Sequence, residues 1–175
     1  MKKYIESNGL KVRHLIATHG HIDHNFGDKF VYDTWGVKPE AGTADDQLFK
    51  SMPEQAKAIC GIDNLTQDDF VGVGKCLDEH DTVDFGSHKF TVLETPGHSP
   101  GGLTYYCEQE RVAFTGDTLF QGSIGRTDFE GGSMFMMLMS LRHLSQLPDD
   151  VRVFPGHGAE TTIGAEVASN PYIDR

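Results

Sequence analysis

Apolar and polar positions alternate with a period of two through much of the second half of the chain, while the first half carries shorter blocks at helical spacing, a mixture that predicts an α/β layout. Residues 1–8 read as a helix closed by Gly9, with Leu10 placed for the hydrophobic contact of a left-handed cap. Residues 12–18 form a β-prone apolar stretch, and residues 25–35 a short helix. A second short strand, broken by Pro39, is expected over 36–41. Residues 43–60 read as helical with Pro53 interrupting them, and 61–75 as an irregular polar connection.

From residue 81 onward strands dominate. Residues 82–85, a Gly86-Ser87 turn and 89–95 predict a hairpin, and 103–107 with 111–115 predict another. Ser133 is a good N-cap for a helix running to about Leu147, where Pro148 stops it. Residues 151–154 complete the strands, and 163–169 form a short helix ended by Asn170-Pro171. One layered domain over 1–175 accommodates this order.

Four predicted strands end in turns that carry metal-binding side chains. The first leads into Thr18-His19-Gly20-His21-Ile22-Asp23-His24, three imidazoles and a carboxylate within six residues. The others deliver His98 after Thr95-Pro96-Gly97, Asp117 after Thr115-Gly116, and His157 after Pro155-Gly156. Neutral imidazole and carboxylate oxygen suit borderline cations such as zinc. Five histidines and two aspartates exceed the needs of one tetrahedral ion, so two are expected. His19, His21 and His98 would take one, Asp23, His24 and His157 the other, and Asp117 would bridge. Positions left for water mark a catalytic site, and two ions about 3.5 to 4 Å apart can share a hydroxide. His14, His80, His88 and His143 lack such surroundings and are assigned to surface or hairpin positions.

Composition narrows the partners. The formal charge of −11 and the absence of a basic patch exclude phosphate-backbone binding, so no nucleic acid is expected. No run of eighteen apolar residues and no signal-peptide pattern is present, so no membrane contact and a cytoplasmic location are expected. Cys60, Cys76 and Cys107 form no CxxC pair and read as reduced structural thiols.

These residues resemble the metallo-β-lactamase superfamily, whose HxHxDH loop is His19 to His24 here and whose later ligands match His98, Asp117 and His157. The stretch from Gly116 to Asp128, Pro155 to Gly164, and the terminal Asn170-Pro171-Tyr172 look like the small glyoxalase II-like hydrolases without a separate helical substrate domain. The resemblance runs from about residue 3 to residue 173. It implies an αββα sandwich with a dinuclear site, two zinc ions (iron or manganese in their place), and hydroxide attack on a small-molecule thioester such as S-lactoylglutathione. Asp23 could also orient the hydroxide as a catalytic residue. Arg126 would meet a substrate carboxylate or anchor Asp128; Phe120 is read as core, and the Met134, Met136, Met137, Met139 helix as packed. Cysteine usually stands at the Asp117 position in family β-lactamases, which disfavours antibiotic hydrolysis.

Family members usually carry a stretch before the first helix that supplies opening strands of the N-terminal sheet, and this chain starts after it. An uncapped helix at Met1 points the same way. A late start, a partner chain completing the sheet as a homo-oligomer, and a shortened domain are the three expectations. Two further activities stay open: a persulfide dioxygenase with one iron on His19, His98 and Asp117, and a metal-binding protein without turnover.

Overall fold

The computed structural model describes residues 1–173. In chain order its elements are α1 (Lys2–Ser7), β1 (Leu15–Ile16), α2 (Ile22–Asn25), α3 (Asp28–Trp35), β2 (Pro39–Gly42), α4 (Asp46–Lys50), α5 (Met52–Cys60), β3 (Lys75–Leu77), β4 (Thr82–Phe85) and β5 (His88–Glu94). There follow β6 (Leu103–Cys107), β7 (Val112–Gly116), β8 (Leu119–Phe120), β9 (Ser123–Ile124), α6 (Met134–Leu144), β10 (Arg152–Pro155), β11 (Thr161–Thr162) and α7 (Ile163–Ser169). Single 3-10 turns occupy Thr43–Asp45 and Gln67–Asp69.

The strands form a three-stranded sheet in the order β1-β2-β3 and a six-stranded sheet in the order β11-β10-β7-β6-β5-β4, with β8 and β9 as a small ribbon. The first sheet is parallel; the second is antiparallel except where β10 joins β7. Three apolar clusters hold the layers. One packs α6 and α7 on β7 and β10 through Met137, Leu141, Val153 and Ile163. A second gathers Ile22, Ala41, Phe49 and Met52 beneath the histidine loop. The third, with Leu77, Val92, Leu103 and Tyr105, lies between the sheets. There the Tyr105 hydroxyl donates to the Ala17 carbonyl across 2.8 Å, and the Leu103 amide to the Thr18 carbonyl across 2.7 Å. These bonds seat the end of the first strand against the second sheet.

The expected first strand shrinks to Leu15–Ile16, which β2 pairs on one side and which stands at the edge of its sheet among the described residues. Pro39 begins β2 rather than breaking it, because a first residue needs no ladder donor. Likewise Pro53 stands in the first turn of α5, where its missing N–H costs nothing, and the helix break falls at Ser51. The helix expected over 25–35 is two helices separated at Gly27, and its first piece begins at Ile22, so Asp23 and His24 lie on a helical turn rather than in a loop. Lys75–Leu77, which begins on the last residue of the expected irregular connection, pairs β2, and α6 ends at Leu144, short of Pro148. In α6 only Met137 of the four methionines is buried; Met134, Met136 and Met139 are exposed beside Phe135 and Leu138. All three cysteines are free.

Candidate metal centre

Strand β1 ends at Ile16, and the next residues turn through Thr18 and Gly20 to place His19 and His21 in the interior. His21 has extended backbone and stands at the N-cap of α2, whose first turn carries Asp23 and His24. Strands β5, β7 and β10 end on the same rim and bring His98, Asp117 and His157 to it. The loop before His157 needs glycine: a Cβ on Gly156 would fall 2.3 Å from Asp117 Oδ1 and 2.6 Å from His24 Cε1.

All seven side chains singled out in the sequence meet there. Their ligand atoms form three overlapping groups, His19 with His21 and His98, His19 with His24 and Asp117, and Asp23 with His24 and His157. Asp117 lies between them, with His98 Nε2 3.5 Å and His157 Nε2 3.6 Å from its Oδ2, and His24 Nε2 3.5 Å from its Oδ1. Two of these groups have the same members as the expected triads, and His19 and His24 also share the group that contains Asp117. The remaining histidines lie elsewhere: His14 pairs with Glu40, His80 with Glu79 and His88 with Glu110, while His143 lies in the last turn of α6.

The donor set fits metal ions. His98 Nδ1 lies 2.7 Å from the carbonyl oxygen of Arg126, which can only accept, so the neutral ring carries a lone pair on Nε2. That nitrogen faces His21 Nδ1 at 2.9 Å, and His24 Nε2 faces His157 Nε2 at 3.1 Å. Nitrogens this close need a proton or a cation between them. His19 Nε2 and Asp117 Oδ1 are buried with no hydrogen-bond partner among the described residues. Burial, followed by the charges of His24 and His98, holds the His19 ring well below the ordinary histidine range, and burial with the neighbouring His98 lowers His21 to about 4. Burial opposes charge on His24 too, but contact with Asp117 outweighs it and raises that ring's pKa. Burial would raise Asp117; contact with His24 and the charges of the other imidazoles leave it below the usual carboxylate value. Neutral His19 and His21 beside an ionised Asp117 is the state in which such groups bind metal.

A cleft of 270 Å³ opens over the group, lined by His21, Asp23, His98, Asp117 and His157 together with Ile59, Phe120, Arg126 and Phe129. Phe120, expected in the core, is half-buried on this wall, its ring 6.4 Å from that of His157. Arg126 grips Asp128 through two bonds of 2.7 and 2.9 Å and stands 4.1 Å over the Phe129 ring. It therefore anchors Asp128 while also facing the cleft.

Sequence reading missed Phe129, whose ring packs 5.1 Å from His21 and 5.8 Å from His98. It also missed the side chains that hold the histidine loop. Asn25 Nδ2 donates to the carbonyls of His19 and His21 at 2.8 and 2.7 Å. Gln55 accepts from the Ile22 amide and donates to the Gly20 carbonyl. Asn25, one residue past His24, carried a positional hint; Gln55, in another helix, carried none.

Comparison with known proteins places these features in context. The Metallo-beta-lactamase superfamily model matches residues 2–157. The chain is 38% identical to hydroxyacylglutathione hydrolase GloC of Haemophilus influenzae over 97% of its length and 80% of that protein's. Among solved structures it is similar to BLEG-1 B3 metallo-beta-lactamase, with 33% identity, a TM-score of 0.86 and coverage of 98% of this chain and 81% of that one. It is likewise similar to TTHA1623 in a di-iron-bound form, with 31% identity, a TM-score of 0.82 and coverage of 98% and 83%.

Proposed function

Because the chain belongs to the metallo-beta-lactamase superfamily, we propose that it is a metal-dependent hydrolase whose substrate is a thioester of the hydroxyacylglutathione kind. The observation that carries this reading is the pair of facing imidazole contacts, His21 with His98 and His24 with His157, joined through Asp117 at the floor of an open cleft. His19, His21 and His98 would hold one ion, Asp23, His24 and His157 the other, with Asp117 between. When bound, such ions polarise a carbonyl oxygen and make hydroxide available near neutral pH. Zinc is the proposed metal; iron is the alternative, because a similar protein has been seen in a di-iron-bound form.

The chain's own groups would do the rest. Phe129, Phe120 and Ile59 offer apolar wall to an acyl chain and keep water from its flank. Arg126 offers a cation to a substrate carboxylate. Asp23, whose Oδ2 lies 3.2 Å from His157 Nε2 and whose side chain is half-exposed, would also orient the attacking hydroxide. A departing thiolate needs little proton assistance, so the cleft requires no dedicated acid.

The test couples metal quantification to a substrate panel on one preparation. Thiol release from S-lactoylglutathione that scales with two ions per chain supports the reading. Turnover of a β-lactam without thioester cleavage would overturn it, and that arm matters because one similar structure is described as a B3 metallo-beta-lactamase. One iron with oxygen uptake on glutathione persulfide would mark a dioxygenase instead. Metal without any turnover would leave a binding protein.

A further inference from the structure

Asp45 is a fully buried carboxylate in the 3-10 turn before α4, outside the group of metal-binding side chains. Its Oδ2 accepts from the Gly20 amide at 2.7 Å and from the Ser99 hydroxyl at 2.8 Å, and its Oδ1 accepts from the Gly101 amide at 2.6 Å. Gly20 is the residue between His19 and His21, and Ser99 follows His98. One carboxylate thus joins two loops separated by some eighty positions in the chain, each beside the histidines it presents. Both loops pack tightly around it: a Cβ on Gly101 would lie 2.5 Å from the Asp45 amide nitrogen and 2.9 Å from its Cγ, and one on Gly20 would lie 3.3 Å from Asp45 Cβ.

We propose that Asp45 is a positioning residue that sets the spacing between His19 and His21 on one loop and His98 on the other, and so the affinity of the first metal position. This rests on the metal reading of those three histidines. The chemistry requires an acceptor-only group. A carboxylate meets three donors with lone pairs to spare, whereas an isosteric amide would turn an N–H toward at least one of them. Hydrogen bonds to a charged acceptor are also about twice as strong as neutral ones. None of the three donors to Asp45 is a chain neighbour of Asp23, His24 or His157, so that group should feel it less.

The experiment titrates metal-free wild type, Asp45→Asn and Glu166→Gln with zinc against a chromophoric chelator, with far-UV circular dichroism to verify folding. Glu166 is a matched control: it too is buried and satisfied by three donors, from Gly122, Thr161 and Asn170. Asp45→Asn should weaken the first zinc at least about tenfold and the second less, while Glu166→Gln leaves both constants unchanged. Should Asp45→Asn fail to fold, Ser99→Ala, which removes one donor only, should shift the first constant the same way by about two- to fivefold. A wild-type isotherm in Asp45→Asn, or in Ser99→Ala where that variant is needed, overturns the proposal, as does an equal loss in Glu166→Gln. Wild type that takes up no zinc overturns the metal reading and this proposal together.

Discussion

His98 Nδ1 donates to the carbonyl oxygen of Arg126 across 2.7 Å. The backbone of Arg126 thereby orients the imidazole and directs its lone pair into the site, while its side chain lies over Phe129 at the cleft. One residue therefore reaches the site by two routes that substitution can separate.

Arg126→Gln removes the cation and keeps the carbonyl. Metal content and kcat should stay within about twofold of wild type, while KM for a thioester bearing a carboxylate rises about three- to fivefold and KM for a neutral thioester does not. Steady-state kinetics on the paired substrates decide it. An equal rise for both would assign Arg126 to holding Asp128 and Phe129 alone.

Asp117→Ala should remove one metal ion per chain and lower kcat by about 100-fold or more, since even outer partners of a ligand cost 10 to 100-fold. Elemental analysis beside the rate measurement checks it, and full retention of both would refute the bridging position.

Asp28 is buried, with Oδ2 lacking a partner among the described residues, and burial raises its pKa from 3.8 to about 7. Between these values the folded chain holds a proton that the unfolded chain has released, so stability falls as pH rises from about 4 to about 7. Asp28→Asn should raise stability at pH 7.5 by on the order of 1–2 kcal/mol and flatten that part of the profile. Thermal melts across this range supply the measurement.

Tyr105→Phe removes the hydroxyl that links β6 to the Ala17 carbonyl. About 1 kcal/mol should be lost, a fall of about 2–4 °C in Tm, with metal stoichiometry unchanged. A much larger loss, or loss of metal, would show that this bond also shapes the His19 turn.

The seven side chains that gather at the candidate metal centre were legible in the chain, because the signal was local. His19 to His24 are neighbours in the chain, and Pro96-Gly97, Gly116 and Pro155-Gly156 mark where strands give way to turns. The two main hairpins and the Ser133 cap were legible for the same reason, alternation and cap chemistry being properties of a few consecutive residues. The shortness of the first strand was set in three dimensions, since pairing depends on the partner that β2 provides. Tertiary packing placed Phe129 against His21, gave Gln55 and Asp45 their loop contacts and left Asp28 Oδ2 without a partner among the described residues. Burial and hydrogen-bond geometry arise between residues distant in the chain, and no local pattern encodes them.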